Sequence, residues 1–392
     1  MTLMQITAIQ DALRQEGLDG WLFFDHHRRD PLAYRILSIP AEIEATRRWY
    51  YFVPTEGEPR KLVHQIEKGA LDSLPGQKQV YSNWVDQRNR LTALLGSAKR
   101  IAMQYSPNCS IPYVSLVDAG TMELVRATGV EVATSANLVQ EFEAKWSFDQ
   151  LEMHLEAGRR VDEIRRKAFD LIGERLRCSN PVNEYEVQQF VRHQFAQSGL
   201  ETDHGPIVGV NANASDPHYE PTRDRKSYIQ KGDFVLIDLW AKLAAPGAVY
   251  YDVTWTGYCG EQIPELIQNV FDIVKTARHR ASDFAIQKAR AHQAFAGFEV
   301  DDVCREYITA QGYGSNFFHR TGHSIGTEVH GTGANMDNLE SHDERRVIAN
   351  TCFSVEPGIY LAEFGVRSEV NVFVSEGDAR VTGEEQEQLI RI

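Results

Sequence analysis

The 392-residue sequence lacks several features that would assign it to other classes of protein. It has no run of about 18 apolar residues, so we expect no membrane-spanning helix. Its N-terminus shows no basic segment followed by an apolar core, and we therefore expect no signal peptide and a cytoplasmic location. Its five cysteines are scattered without a C-x-x-C pair, which argues against a disulfide framework or a zinc knuckle.

The sequence is also poor in positive charge. Lysine and arginine number 41 against 55 aspartates and glutamates, which leaves a formal charge of −14 and no basic run. Such a chain repels phosphate backbones and anionic membranes. We therefore expect neither nucleic acid nor a membrane as a partner.

Two halves with different patterns are present, and they predict two domains, 1–147 and 148–392. The first half alternates short apolar runs such as GWLFF and RRWYYFV with helical patterns, which is typical of an α/β layer structure. The second half groups its helices and strands without regular βαβ spacing, which predicts an α+β fold. Helical patterns cover 150–177 and 183–199, and a pair of helices is predicted over 265–291. Strand-like runs lie at 206–210, 233–240, 248–259, 351–355 and 366–374.

The stretch FHRTGHSIGTEVHG, residues 318–331, permits two interpretations. Its centre fits G-x-S-x-G, the nucleophile elbow of serine hydrolases, with Ser324 as nucleophile. Its histidines, His319, His323 and His330, instead suggest metal or proton chemistry. The residues before Ser324 are polar rather than an apolar strand, and glycines interrupt the segment after it. The sequence therefore favours the histidine interpretation.

Four acidic residues interrupt apolar runs that otherwise predict buried strands. Asp238 lies in GDFVLIDLWAKL, Asp252 in AVYYDVTWTGYCG, Glu356 in CFSVEPGIYL and Glu369 in FGVRSEVNVFV. Each acid alone is explained by a solvated face or an ion pair, but an unpaired buried carboxylate costs several kcal/mol. Four carboxylates together with one imidazole balance two divalent cations. Their oxygen-rich ligation suits Mn(II), with Co(II) or Zn(II) as alternatives.

Five segments, in this order, resemble the signature blocks of the creatinase/prolidase/aminopeptidase P family of pita-bread metallopeptidases: GPIVGVNANASDPHY, VLIDLW…YYDVTWTG, HRTGHSIGTEVH, FSVEPGIY and GVRSEV. The resemblance covers about residues 150 to 392, and it implies a pita-bread catalytic domain with a smaller N-terminal creatinase-type domain. It implies two metal ions: Asp238 on one, His323 and Glu356 on the other, and Asp252 and Glu369 bridging both. Creatinase itself lacks a complete set, so five filled positions favour a peptidase.

The resemblance also implies roles for six residues around the metals. Glu356 would be the general base, His330 would stabilise the oxyanion, and His218 would contact the leaving group. His319, Tyr360 and Arg367 match substrate-binding positions of proline-specific members. Because Arg367 lies two residues from Glu369, we expect both on one strand face, where Arg367 could pair with Glu369 or with a substrate carboxylate. A structural ion pair is the alternative role for Arg367.

The sequence departs from the family pattern at three places. Asp238 and Asp252 are separated by a longer loop than usual, Gly331 stands where an acid usually follows the histidine, and Trp255 stands near a usual arginine. We expect these departures to affect substrate choice more than metal binding.

The favoured function is hydrolysis of Xaa-Pro bonds by a metal-activated water, in a cytoplasmic homodimer acting on small peptides. Dipeptidase and aminopeptidase activities stay open. A sister hydrolase on the same scaffold, such as a creatinase-like amidinohydrolase, a G-x-S-x-G serine hydrolase and a non-catalytic binding protein are the alternatives.

Overall fold

The computed structural model describes residues 3–40 and 42–392, and the chain divides into two compact units, Met1–Glu143 and Ala144–Ile392. The sequence places the boundary a few residues later, after residue 147. Among the described residues, no helix is both long enough and apolar enough to cross a lipid bilayer.

The N-terminal unit is an α/β layer structure built on one six-stranded sheet of order β4-β3-β2-β1-β5-β6. Its strands are β1 (Gly20–Asp25), β2 (Trp49–Pro54), β3 (Arg60–His64), β4 (Gln77–Tyr81), β5 (Arg100–Met103) and β6 (Glu131–Thr134). Its helices are α1 (Leu3–Gln15), α2 (Pro31–Ile36), α3 (Trp84–Leu95), α4 (Ala119–Arg126) and α5 (Ala136–Val139).

Both faces of this sheet are covered, which explains why β1 is apolar at nearly every position. Trp21 and Phe23 belong to one hydrophobic core, and Leu22 and Phe24 belong to a second core on the opposite face. The strands β1, β3 and β4 run in the same direction, so their carboxyl ends lie at one edge of the sheet.

The C-terminal unit is α+β, with long helices packed on several smaller sheets. Its helices are α6 (Phe148–Arg177), α7 (Glu184–Gln197), α8 (Glu265–Arg290) and α9 (Gly297–Ala310). Its strands are β7 (Leu200–Glu201), β8 (Ile207–Val210), β9 (Phe234–Leu243), β10 (Tyr251–Tyr258), β11 (Ser324–Ile325), β12 (Thr351–Val355), β13 (Gly358–Tyr360), β14 (Gly365–Arg367), β15 (Val370–Ser375), β16 (Asp378–Thr382) and β17 (Ile390–Arg391).

The strands of this unit form three sheets. One has the order β17-β10-β9-β7, with β8 also paired to β9, the second has the order β11-β12-β15-β16, and β13 pairs with β14. A capping box begins each of the first two helices of this unit: Ser147 with Gln150 for α6, and Asn183 with Glu186 for α7. Within each pair, the side chain of one residue accepts a hydrogen bond from the backbone N–H of the other.

Two sequence expectations for this unit are wrong. The region 265–291 forms the single 26-residue helix α8 rather than a pair, because its apolar positions keep helical spacing without a break. The predicted strand over 366–374 is divided between β14 and β15, and Ser368 and Glu369 form the junction. Glu369 therefore lies at a strand end rather than in mid-strand.

Candidate metal centre

The hairpin of β9 and β10 brings Asp238 and Asp252 to one face of a sheet. In the antiparallel register Asp238 lies opposite Thr254, and Asp252 lies two residues before Thr254. Side chains alternate along a strand, so Asp252 and Thr254 point to the same face as Asp238. Both aspartates are buried.

His323 and Glu356 come from the neighbouring sheet, at the ends of β11 and β12. The backbone N–H of His323 donates to Ser354 Oγ at 2.9 Å. The Nδ1 of the same imidazole lies 3.1 Å from the carbonyl oxygen of Ser324, to which Nδ1–H donates. This bond leaves the lone pair of Nε2 facing Glu356 Oε1 at 3.4 Å and Asp252 Oδ2 at 3.6 Å.

Glu369 is held against β10 by two bonds to Thr254. Its backbone N–H donates to the carbonyl oxygen of Thr254 at 3.2 Å, and the Thr254 hydroxyl donates to Glu369 Oε2 at 2.9 Å. Asn371, two residues further, clamps Asp252: its Oδ1 accepts from the Asp252 N–H at 3.1 Å, and its Nδ2 donates to the Asp252 carbonyl. Asn371 thus takes the place of a strand neighbour.

Burial and mutual repulsion disfavour ionisation of these acids. Burial, followed by the charge of Asp238, raises the pKa of Asp252 well above its usual range. Burial, followed by the charges of Asp252 and Glu356, raises the pKa of Glu369 well above its usual range. Burial also raises the pKa of Glu356, although His323 opposes this shift. Burial lowers the pKa of His323, which keeps the imidazole neutral and able to act as a ligand.

The donor set fits divalent cations. Asp238 Oδ1, Asp252 Oδ1 and Glu369 Oε1 are buried oxygens without a hydrogen-bond partner among the described residues. One ligand atom each from Asp252, His323 and Glu369 lie within 4.8 Å of one another. Buried carboxylates need compensation, and cations bound by carboxylate oxygen and neutral imidazole supply it.

Of the alternatives that the sequence leaves open for Arg367, the structure shows an ion pair with Asp238 and none with Glu369. Arg367 Nη2 donates to Asp238 Oδ2 at 2.5 Å, its Nε donates to Thr254 Oγ1 at 3.1 Å, and Glu356 Oε2 lies 4.0 Å away. The break between β14 and β15 removes the simple alternation on which a pairing with Glu369 rested. Arg367 is thus a buried cation bound to a candidate metal ligand.

A hydrogen-bonded chain links His319, Tyr360 and Arg367. Arg367 Nη1 donates to the Tyr360 hydroxyl oxygen at 3.0 Å, and the Tyr360 O–H donates to His319 Nε2 at 2.7 Å. His319 Nδ1–H donates to the carbonyl oxygen of Arg320 at 2.7 Å. Burial and the charge of Arg367 lower the pKa of His319 to about 3, so the ring is neutral and its tautomer is set by these two partners.

His330 and His218 lie on the solvent side of the cluster. The rings of His330 and His323 are perpendicular with centroids 4.4 Å apart. His330 and His323 disfavour simultaneous protonation, and this repulsion, followed by burial and the charge of Arg320, lowers the pKa of His330. His218 is exposed on the loop after β8, where its N–H donates to Asp216 Oδ1.

The environment of Ser324 does not fit a nucleophile elbow. Its hydroxyl oxygen is buried and accepts from the Gly333 N–H at 3.0 Å. His323 donates to the backbone carbonyl of Ser324 and not to its hydroxyl. Ser324 begins the two-residue strand β11 and leads into no helix, whereas an elbow requires a following helix.

Trp255 does not face the cluster of candidate ligands. It follows Thr254 and therefore points to the opposite face of β10. There the guanidinium of Arg165, from α6, lies 3.4 Å from the centre of the indole ring. This contact is a structural cation–π interaction between helix and sheet.

Sequence reasoning missed three buried polar residues that position the candidate ligands: Thr254, Ser354 and Asn371. Each lies two residues from a ligand, namely Asp252, Glu356 and Glu369. Residues at this spacing in a strand share a face, so the alternation pattern was the signal that could have found them. Sequence reasoning also missed Phe318, whose ring lies 4.9 Å from that of Tyr360 and is 52% exposed.

The cluster of buried carboxylates around an imidazole makes the C-terminal unit a candidate metal-binding domain. Residues 152–376 match the metallopeptidase family M24. The chain belongs to this family.

Three known proteins illustrate the similarity. A Xaa-Pro dipeptidase of Lactobacillus delbrueckii subsp. lactis is 31% identical over 234 residues, which cover 59% of this chain and 58% of that protein. The dipeptidase PepE from Mycobacterium ulcerans has a TM-score of 0.71 at 22% identity, covering 99% of this chain and 97% of that one. An X-prolyl aminopeptidase from Caenorhabditis elegans, described as cytosolic with a di-nuclear active site, has a TM-score of 0.66 at 15% identity, covering 97% of this chain and 61% of that one.

The sequence matches are partial. The chain spans about half of the length of the first curated relatives it matches, from 51% to 58%. The structural matches extend over nearly the whole chain and show the same two-part α+β fold, a pita-bread catalytic domain with a smaller N-terminal domain.

Proposed function

We propose that the chain is a metal-dependent peptidase that hydrolyses the bond before proline in small peptides. The observation that carries this proposal is the convergence of Asp252, His323 and Glu369 within reach of one cation, with free carboxylate oxygens beside them. Membership of family M24 and the similarity to a Xaa-Pro dipeptidase support it.

The proposed centre would hold two divalent cations, and its oxygen-rich donor set suits Mn(II). Asp238 would serve one cation, His323 and Glu356 would serve the other, and Asp252 and Glu369 would serve both. When bound, the cation pair supplies Lewis-acid activation of a shared water and of the scissile carbonyl. The di-nuclear site of the C. elegans enzyme supports this stoichiometry.

The remaining steps fall to protein side chains. Glu356 accepts the proton of the attacking water and transfers it to the leaving nitrogen, a role supported by a pKa that burial raises above its usual range. His330 is neutral and donates a hydrogen bond to the developing oxyanion. His218, on its exposed loop, contacts the leaving residue.

Selection for proline rests on an apolar wall, because an Xaa-Pro bond offers no N–H to recognise. Phe318 and Tyr360 form such a wall, and His319 fixes the Tyr360 hydroxyl. We propose that Arg367 supports this wall and Asp238 rather than binding the substrate carboxylate, since its guanidinium already serves both. We propose further that the chain acts in the cytoplasm as a homodimer.

The test is hydrolysis of Ala-Pro beside Ala-Pro-Ala and Ala-Ala, with Mn(II) supplied and after chelation. We expect turnover of proline peptides only with metal, and the ratio of the two proline substrates separates dipeptidase from aminopeptidase. Comparable hydrolysis of Ala-Ala would refute the proline preference while leaving the metal centre standing. Absence of any metal-dependent hydrolysis would instead favour a sister hydrolase.

Ser324 and His323 provide a matched pair of adjacent buried residues for the same assay. We expect His323→Ala to lose activity by about a thousandfold or more, because a metal ligand is removed. Ser324→Ala should retain most activity, because it loses only the bond from Gly333. A covalent adduct on Ser324 with a serine-hydrolase probe would overturn the assignment.

A further inference from the structure

A cavity of about 840 Å³ lies in the N-terminal unit, at the sheet edge where β1, β3 and β4 end. Phe24, His64 and Tyr81, at the ends of these strands, contribute to its lining, as do residues from the first turn of α3 and the beginning of α4. Ligands of open α/β sheets bind in the crevice outside the carboxyl ends of the strands, and this volume suits a small organic molecule.

The lining is strongly cationic, although the whole chain carries a charge of −14. It includes four arginines, Arg29, Arg47, Arg48 and Arg88, against one acid, Asp118, and three histidines add hydrogen-bonding ring nitrogens: His26, His27 and His64. The Asp118 carboxylate is engaged at the start of α4, where it accepts from the N–H and the hydroxyl of Thr121. The excess of positive charge is therefore not neutralised by the lining itself.

The four arginines have no carboxylate within ion-pair distance among the residues that the structure describes. The side chain of Arg29 contacts His26 Nδ1 at 3.2 Å, that of Arg47 donates only to Thr46, and that of Arg88 lies over the ring of Trp84. By contrast, Arg90 of the same unit, outside the lining, forms an ion pair with Asp86. The guanidinium groups of the cavity are available for an anion.

The loop after β1 is pre-shaped around this cavity. Asp25, buried at the end of β1, accepts from the N–H groups of Arg28, Arg29 and Asp30. His27 and Arg28 have φ values of 63° and 57°, which are uncommon for residues other than glycine. Such backbone conformations persist where the surrounding structure holds them, and they cluster at binding sites.

Apolar surface completes the lining. Phe24 and Tyr81 are buried at their strand ends, and Trp84, at the start of α3, is 64% exposed. We propose that this cavity binds a small organic polyanion, a molecule with two or more phosphate or carboxylate groups on an apolar body. The guanidinium groups bind the anionic groups, and the aromatic side chains contact the body.

Calorimetric titration of the metal-loaded full chain tests the proposal, with ADP as the phosphate ligand, citrate as the carboxylate ligand and adenosine as the uncharged control. The informative variant is R47Q/R48Q, which removes two exposed arginines of the lining. The matched control is R14Q/R126Q, which removes two exposed arginines of the same unit outside the lining. Thermal midpoints confirm that both variants fold.

We expect saturable binding of ADP or citrate that weakens about a hundredfold in R47Q/R48Q, at about tenfold for each charged hydrogen bond lost. The control should bind within about twofold of the unmodified chain. Binding of ADP alone identifies a phosphate ligand, and binding of citrate alone identifies a carboxylate ligand. Equal affinity of R47Q/R48Q and R14Q/R126Q for the anion would place its binding site at the metal centre and overturn the proposal. A titration that does not saturate below about 1 mM ligand would also overturn it.

Discussion

The C-terminal unit buries the acids Asp252 and Glu369 among apolar strands, whereas the N-terminal unit leaves Arg47 and Arg48 at the surface of its cavity. Exposed arginines stay hydrated, so they need no partner and respond to salt. Buried carboxylates are desolvated, so they must be protonated, paired or bound to a cation. A charged group without a protein counter-charge is thus costly in the C-terminal unit, where it is buried. It costs little in the N-terminal unit, where it is exposed.

Among the substitutions that test this comparison, we expect Asp252→Asn to have the largest effect on activity and metal content. Without the bridging carboxylate, we expect activity to fall by about a thousandfold or more and bound metal to fall below two ions per chain. The metal-free variant should be at least as stable as the metal-free parent, because one of the mutually repelling acids is gone. Elemental analysis, peptide hydrolysis and thermal unfolding with and without chelator check these outcomes.

Arg126→Gln is the control for this experiment in the N-terminal unit. Arg126 is exposed in the last turn of α4, over the ring of Tyr105. Its replacement should leave metal content and the metal-induced rise in the unfolding midpoint unchanged. Two bound ions in Asp252→Asn would show that this carboxylate does not bridge the metals.

Asn371→Leu tests whether the buried positioning network matters as much as the ligands themselves. The leucine removes both bonds to the Asp252 backbone and leaves its N–H and C=O buried without partners. At about 1–3 kcal/mol for each unsatisfied group, we expect the free energy of unfolding to fall by about 4 kcal/mol. Metal affinity should fall about ten- to a hundredfold, because Asp252 is no longer held in place.

The matched control is Asn338→Leu, on an exposed loop where the amide donates to Asp302. We expect a change within about 0.5 kcal/mol there. Chemical denaturation in chelator and calorimetric titration with Mn(II) provide the two measurements. Equal destabilisation by both substitutions would contradict the role given to Asn371.

Much of the candidate site could be predicted from single residues that break an apolar pattern. Asp238 and Asp252 interrupt runs that form β9 and β10, so their burial and shared face follow from strand alternation. The partner of Arg367 could not be predicted, because it depends on the break between β14 and β15 and on a contact with Asp238, 129 residues away. Distant contacts of this kind leave no local pattern.

The fold could be predicted where elements have apolar periodicity and not where they lie at an edge. Strand β4, QKQVY, is polar because it is the outer strand of its sheet, and no alternation marks it. The cation-rich cavity escaped prediction for a related reason. Its arginines come from two loops and from helix α3, so no basic run marks them in the sequence, and only the fold brings them together.

His154 has the smallest expected effect, and it tests the contrast between buried and exposed ionisable groups through the dependence of stability on pH. This histidine of α6 is fully buried between the Tyr250 carbonyl and the Thr382 hydroxyl, each 2.7 Å from a ring nitrogen. Burial lowers its pKa to about 4, against about 6.5 in an unfolded chain.

Above pH 6.5 the imidazole is mostly neutral in both the folded and the unfolded state, so its full contribution to stability is present. As the pH falls from 6.5 to 4, the unfolded state gains a proton that the folded state refuses, so stability decreases. We expect this residue to account for a loss of about 2 kcal/mol between pH 7 and pH 5 in metal-free protein. His154→Gln should lose this component of the pH dependence, whereas His193→Gln, at an exposed position of α7, should keep it. The same slope in both variants, measured by denaturant unfolding across this range, would show that His154 does not control it.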